Sequence, residues 1–177
     1  LRAGDFIDTQ ASGNWLDKVM LAGLARGRFT YPGRGDVPHA WAYLPDMARA
    51  AVLLAERREE LGRFEDVPFA GLTLTGDGLA EALSAATGLS LRRPRLPWWQ
   101  LQLARPVWPM ARHLLEMRYL WDTPHWLDGA RFAELCPEFR ATSAEEALAA
   151  AAAPLLPRVP AQGVADHSMA RSTQTSL

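Results

Sequence analysis

The chain has 177 residues, 49% of them hydrophobic, which suits one domain with a real core, or one domain and a tail. Its 19 basic and 20 acidic residues leave a formal net charge of −1, which argues against a binder of nucleic acid or anionic membrane acting through overall charge but leaves local patches open. Cys136 is the only cysteine, so an internal disulfide and a cysteine-based metal cluster are both excluded. No apolar run approaches the ~20 residues of a membrane span. The opening Leu1-Arg2-Ala3-Gly4-Asp5 reads as the end of a buried strand, not as a charged and then apolar leader, and a cytoplasmic location is the expectation.

In chain order, Ser12 or Asn14 can cap a helix over Trp15 to Arg26, with Trp15, Val19, Leu21 and Leu24 on its buried stripe and Gly27 as its stop. Phe29-Thr30-Tyr31 reads as a short strand closed by Pro32-Gly33, and His39 to Leu44 as a second one. Pro45 and Asp46 suit the first turn of a helix that reaches about Glu60, with Met47, Ala50, Ala51 and Leu54 inward. Val67 to Gly71 is predicted as a strand, and Thr75 caps a helix from Gly76 to Thr87 that ends at Gly88. Leu89 to Arg95 is a further predicted strand. Helices are expected over Trp98 to Arg105 and Val107 to Trp121, broken at Pro106 and Pro109. Asp128 is placed to cap a helix over Gly129 to Cys136, and Ser143-Ala144-Glu145-Glu146 is a capping box ahead of an Ala-rich helix to Ala153. From Pro154 the periodicity vanishes, so residues 154–177 are expected to be a disordered tail behind a unit spanning 1–153.

No complete catalytic constellation is present. His39, His113, His125 and His167 are scattered and lack helical ligand spacing, so no metal site is expected. The nucleophile elbow Gly-x-Ser-x-Gly never occurs. Gly76-Asp77-Gly78 opens a helix after an extended stretch, but Glu81 stands where a third glycine belongs, and two carboxylates there would repel a pyrophosphate.

Leu1-Arg2-Ala3-Gly4-Asp5-Phe6 and, some forty residues on, Trp41-Ala42-Tyr43-Leu44-Pro45-Asp46-Met47-Ala48 resemble two segments of the NAD(P)-dependent epimerase/dehydratase family, the extended short-chain dehydrogenase/reductases. Trp98-Trp99, Glu116-Met117-Arg118-Tyr119-Leu120-Trp121 and Leu127-Asp128 are similar to the C-terminal part of an atypical branch of it. The resemblance implies an α/β fold: the C-terminal part of a Rossmann-like doubly wound architecture, mostly helical with a few short strands. It also implies NAD or NADP, bound mainly by a part upstream of Leu1, and a small-molecule substrate such as a nucleotide-sugar.

Carried over residue by residue, the resemblance assigns Ala3, Gly4, Asp5 and Phe6 to the nicotinamide end of the cofactor. It assigns Arg34, His39 and Trp41 to substrate contact. Asp5 replaces the family's usual Asn and His39 its usual Arg, and a neutral imidazole is the weaker phosphate ligand. No tyrosine has a lysine four residues on, because Tyr31, Tyr43 and Tyr119 precede Gly35, Met47 and Thr123. The family's Tyr-x-x-x-Lys acid/base pair is therefore not in this chain, and no catalytic residue is assigned. The expected role is the substrate-binding lid of an oxidoreductase or epimerase, inactive alone; the alternative is a non-catalytic, redox-sensing relative.

Between Arg92 and Arg118 six arginines face one acid, Glu116, with Trp98, Trp99, Trp108 and Trp121 nearby. The proline breaks and inward Leu101, Leu114 and Leu115 favour tryptophans that cover the substrate region and arginines that reach into water, with no nucleic-acid or membrane partner. Without an upstream sheet, Val19, Met20 and Leu24 are expected to be uncovered and to drive self-association into a homo-oligomer.

Overall fold

The computed structural model describes residues 1–157. The strands are β1 (Asp5–Ile7), β2 (Pro38–Tyr43) and β3 (Leu72–Thr75). The helices are α1 (Leu44–Glu56), α2 (Gly76–Thr87), α3 (Trp98–Ala104), α4 (Pro109–Glu116), α5 (Ala130–Leu135) and α6 (Ala144–Ala152). The fold is mixed α/β. One sheet runs β1-β2-β3, with β1 parallel to β2 from Asp5↔Trp41 to Ile7↔Tyr43 and β3 antiparallel to it from Pro38↔Thr75 to Trp41↔Leu72.

Strand alternation makes β2 the wall between two cores. Trp41, fully buried, faces a larger core holding Ile7, Leu16, Met20, Leu83 and Leu148. Ala42 faces a smaller one in which Phe69, Phe132 and Phe139 meet edge to face with centroids 5.1–5.7 Å apart. Helices α2 and α6 pack on each other over the first core.

Local signals hold where they are strongest. Thr75 caps α2 by accepting from the Gly78 N–H at 3.0 Å, and Ser143 and Glu146 close the expected capping box on α6. Pro109 starts α4, as its missing N–H permits.

Several expectations are corrected. The helix over Trp15 to Arg26 is instead a wide π turn, Leu16–Met20, and a 3₁₀ turn, Leu24–Arg26. This winding turns Leu16, Met20, Leu21 and Leu24 inward and leaves Trp15 and Val19 half-buried. Met20 and Leu24 are 0% exposed, so the uncovered face expected there is absent. In α1, Ala51 is exposed and Asp46 takes an inward place. The strand predicted over Val67 to Gly71 lies one step later, as β3. Pro68 has no N–H to donate, and Gly71, at φ +56°, turns the chain so that its α-carbon passes over the Trp41 carbonyl. Phe29 to Tyr31 and Leu89 to Arg95 form only isolated parallel bridges, Arg28↔Arg92 and Tyr31↔Arg95.

A helical turn continues over Ala153–Leu155, and Leu155 and Leu156 pack against the larger core, beyond the point where the sequence pattern starts a tail. The remainder of that expected tail, 158–177, lies outside the described residues.

Candidate functional site

The residues just before and at the start of β1 face the middle of β2 across a pocket of about 360 Å³. Its floor is Ala3, Gly4, Asp5, His39 and Ala40; Trp15, Leu120, Trp121 and His125 close it from above. Gly4 is required here by close approach, since a Cβ at that position would lie 2.2 Å from the Ala40 carbonyl oxygen.

At the centre, His39 Nε2 lies 2.6 Å from Asp5 Oδ2. An ionised carboxylate only accepts, so Nε2 carries a proton and donates it, and in the neutral ring Nδ1 is then an acceptor. That Nδ1 is buried without a hydrogen-bond partner among the described residues. The His39 ring is clamped: it stacks on Trp121 with centroids 4.6 Å apart and planes within 9°, and meets the edge of His125 at 3.9 Å. His125 Nδ1 lies 3.2 Å from the Thr123 carbonyl, which can only accept, so its Nε2 is the free acceptor. The pocket thus joins one acidic group, two imidazoles and indole walls.

The expected site residues separate into two sets. Ala3, Gly4, Asp5 and His39 come together in the pocket. Phe6 does not line it, because alternation turns it away from Asp5 and it is 38% exposed. Trp41 lies fully buried beside His39, 5.3 Å between centroids, and supports that ring without reaching the pocket. Arg34 lines a different cleft with Arg95 and Trp98, its Nε and Nη2 engaged by both Asp36 carboxylate oxygens at 3.1 and 2.6 Å. Sequence reasoning left Trp15, Leu120 and His125 unassigned, and gave Trp121 only a general place among the tryptophans that cover the substrate region. The segment holding Trp121 was singled out by resemblance, but only folding brings it over His39.

Tyr31 is buried beneath Trp121, and burial, helped by the Asp5 and Asp122 carboxylates, pushes its phenol well above the usual range. Among the described residues no group of three His, Cys, Asp or Glu could hold a metal ion, and no helix is long and apolar enough to cross a membrane.

No protein-family model matches the chain, and no curated protein sequence matches it. Solved structures do. The chain is similar to the GalE-like L-threonine dehydrogenase from Cupriavidus necator in its apo form, at 16% identity and a TM-score of 0.63, over 88% of this chain and 52% of that one. It is similar to L-threonine dehydrogenase from Phytophthora infestans at 14% identity and a TM-score of 0.64, covering 87% and 46%. For L-threonine 3-dehydrogenase from Trypanosoma brucei the values are 12%, 0.61, 87% and 44%. What is shared is the fold. The chain spans about half the length of these Rossmann-like dehydrogenases.

Of the nicotinamide dinucleotide that this fold implies, the pocket's residues would suit one end only. The Asp5 carboxylate would suit a nicotinamide ring, which is cationic when oxidised and carries an amide N–H₂ to donate, with Ala3 and Gly4 beside it. The same carboxylate would repel a pyrophosphate, and the described residues hold no glycine-rich loop to cradle one.

Proposed function

We propose that this chain is the C-terminal, substrate-facing portion of an NAD(P)-dependent dehydrogenase or epimerase of the extended short-chain dehydrogenase/reductase type. The observation that carries this reading is the Asp5–His39 pair, set at the floor of an aromatic-walled pocket between the start of β1 and the middle of β2. In doubly wound sheets, ligands sit in the crevice at strand ends. The chemistry the nicotinamide supplies when bound is reversible hydride transfer.

This chain's residues would do the rest of the work on this side. Ala3, Gly4 and Asp5 would receive the amide-bearing ring, and Asp5 holds His39 in a single tautomer. Trp15, Trp121 and His125 exclude water above it. A small polar alcohol or carbonyl substrate, of the size of a hydroxy amino acid, suits 360 Å³ better than a nucleotide-sugar, whose diphosphate Asp5 would repel. The general acid/base is not among these residues and would come from the remainder of the protein.

The test is tryptophan fluorescence, since Trp15 and Trp121 wall the pocket. Nicotinamide mononucleotide is expected to quench in the millimolar range and adenosine monophosphate is not, with the quench lost in Trp121→Leu. Equal quenching by both halves, or none by the nicotinamide half, refutes the assignment.

A further inference from the structure

Helices α3 and α4 pack on each other as a two-faced hairpin. Its inner face is seated: Trp98 donates from Nε1 to the Pro32 carbonyl at 2.7 Å, Ala111 is fully buried, and Leu101 and Leu115 pack on the core. Its outer face is apolar and in water. Trp99 is 62% exposed, Leu103 71%, Val107 85%, Trp108 45% and Met110 53%. Neither Trp99 nor Trp108 lines the pocket of Asp5 and His39, and Trp99 instead borders the cleft that holds Arg34. Five large apolar groups clustered within residues 99–110 form a patch of the kind that marks a docking surface.

Charge decides what docks there. Residues 82–115 contain no Asp or Glu, while Arg92, Arg93, Arg95, Arg105 and Arg112 fall within them, in a chain whose net charge is −1. Gln102, Arg105, Arg112 and His113 line one groove beside the exposed apolar tip. The nearest acid in sequence, Glu116, sits at the base of α4, 3.1 Å from Arg112. An apolar surface alone suits any hydrophobic partner. Arg93 is paired with Asp77 at 2.9 Å, so the cations beside the apolar tip are Arg105 and Arg112. An apolar surface bordered by them complements a layer that is negative outside and apolar beneath.

We propose that the α3–α4 hairpin docks this chain on an anionic lipid surface. Trp99, Leu103, Val107 and Trp108 enter the boundary between headgroups and acyl chains, and Arg105 and Arg112 engage the phosphates above it. With no described helix long enough to cross, the contact is interfacial. The proposal rests on none of the cofactor assignment above.

The test is flotation of the full chain with vesicles of phosphatidylcholine alone and of phosphatidylcholine with one third phosphatidylserine. The chain is expected to float with the anionic vesicles, to remain behind with the neutral ones, and to be released by high salt. Trp99→Ser with Trp108→Ser should abolish flotation, and Arg105→Ala with Arg112→Ala should weaken it on the order of tenfold. Phe64→Ser, a change at an aromatic 89% exposed elsewhere, should float as the parent does. Should the double tryptophan variant melt early, Val107→Glu, at a more exposed site, must lose flotation alone. No flotation with anionic vesicles overturns the proposal, as does equal flotation with neutral ones. So does a dimer in sedimentation that Trp108→Ser converts to monomer without vesicle binding, which would assign the face to a second copy.

Discussion

Replacing Asp46 by Asn should cost about 3 kcal/mol of stability at neutral pH. Asp46 stands in the first turn of α1, 3% exposed, and ties that helix to the segment leading into α6. Its carboxylate accepts from the Thr142 N–H at 2.7 Å, the Thr142 hydroxyl at 2.8 Å and Arg49 Nη2 at 2.7 Å. Hydrogen bonds to a buried charge contribute roughly 1.5–3 kcal/mol each. Two of these are shielded; the Arg49 side chain is 53% exposed and rehydrates when released, so its share is under about 1 kcal/mol. An amide of the same shape keeps one acceptor and sets its N–H₂ against either the Thr142 N–H or the Arg49 guanidinium. It also loses the charge that strengthened all three bonds, which accounts for the loss. In a chain of this size the melting temperature should fall by about 6–12 °C.

The pH dependence follows from the same contacts. Burial alone would raise the Asp46 carboxyl, but the bonds from Arg49 and Thr142 outweigh it and hold the group below its ordinary range. A carboxyl depressed on folding stabilises above the unfolded value, near 3.9, and its contribution is lost as the pH falls through the lower folded value. Parent and Asp46→Asn should therefore differ fully at pH 7 and converge as the pH falls below the ordinary carboxylate range and through the lowered folded value. Thermal melts followed by circular dichroism across that range, with Thr142→Val completing a double-mutant cycle, provide the measurement. A gap under about 1 kcal/mol at pH 7, or one that does not narrow on acidification, refutes the reasoning.

Three further outcomes are expected. Thr75→Ala should cost about 1 kcal/mol by urea unfolding, because the Gly78 N–H loses its cap. Gly33→Ala should cost about 1–3 kcal/mol and shift the tryptophan emission, because a Cβ there would lie 2.2 Å from the Trp121 carbonyl oxygen and push that residue off the pocket. Calorimetric titration of the chain with NAD or NADP should give affinity no better than millimolar, for want of the backbone N–H groups that hold a pyrophosphate; a micromolar constant would contradict this.

What the sequence determined by itself was local. Helix α2 from Gly76 to Thr87, its Thr75 cap, and the Ser143 capping box on α6 were legible because each is closed by hydrogen bonds reaching three or four residues. The extended stretch from His39 was legible because Trp41 and Tyr43 alternate with alanine on one strand. The resemblance drew Asp5 and His39 out separately, but not as partners.

Tertiary structure alone decided the rest. The 2.6 Å contact between Asp5 and His39 joins residues on two strands, and it exists only because β1 runs parallel to β2. Trp121 and His125 reach His39 from some eighty residues away in the chain, at a distance no periodicity encodes. The winding at Leu16–Met20 turned a predicted amphipathic helix about its axis, because burying Met20 and Leu24 against the core outweighed regular α-helical hydrogen bonding. The same competition divided the tryptophans: Trp98 and Trp121 found cavities and partners, while Trp99 and Trp108, in the same composition of neighbours, met none and were left in water.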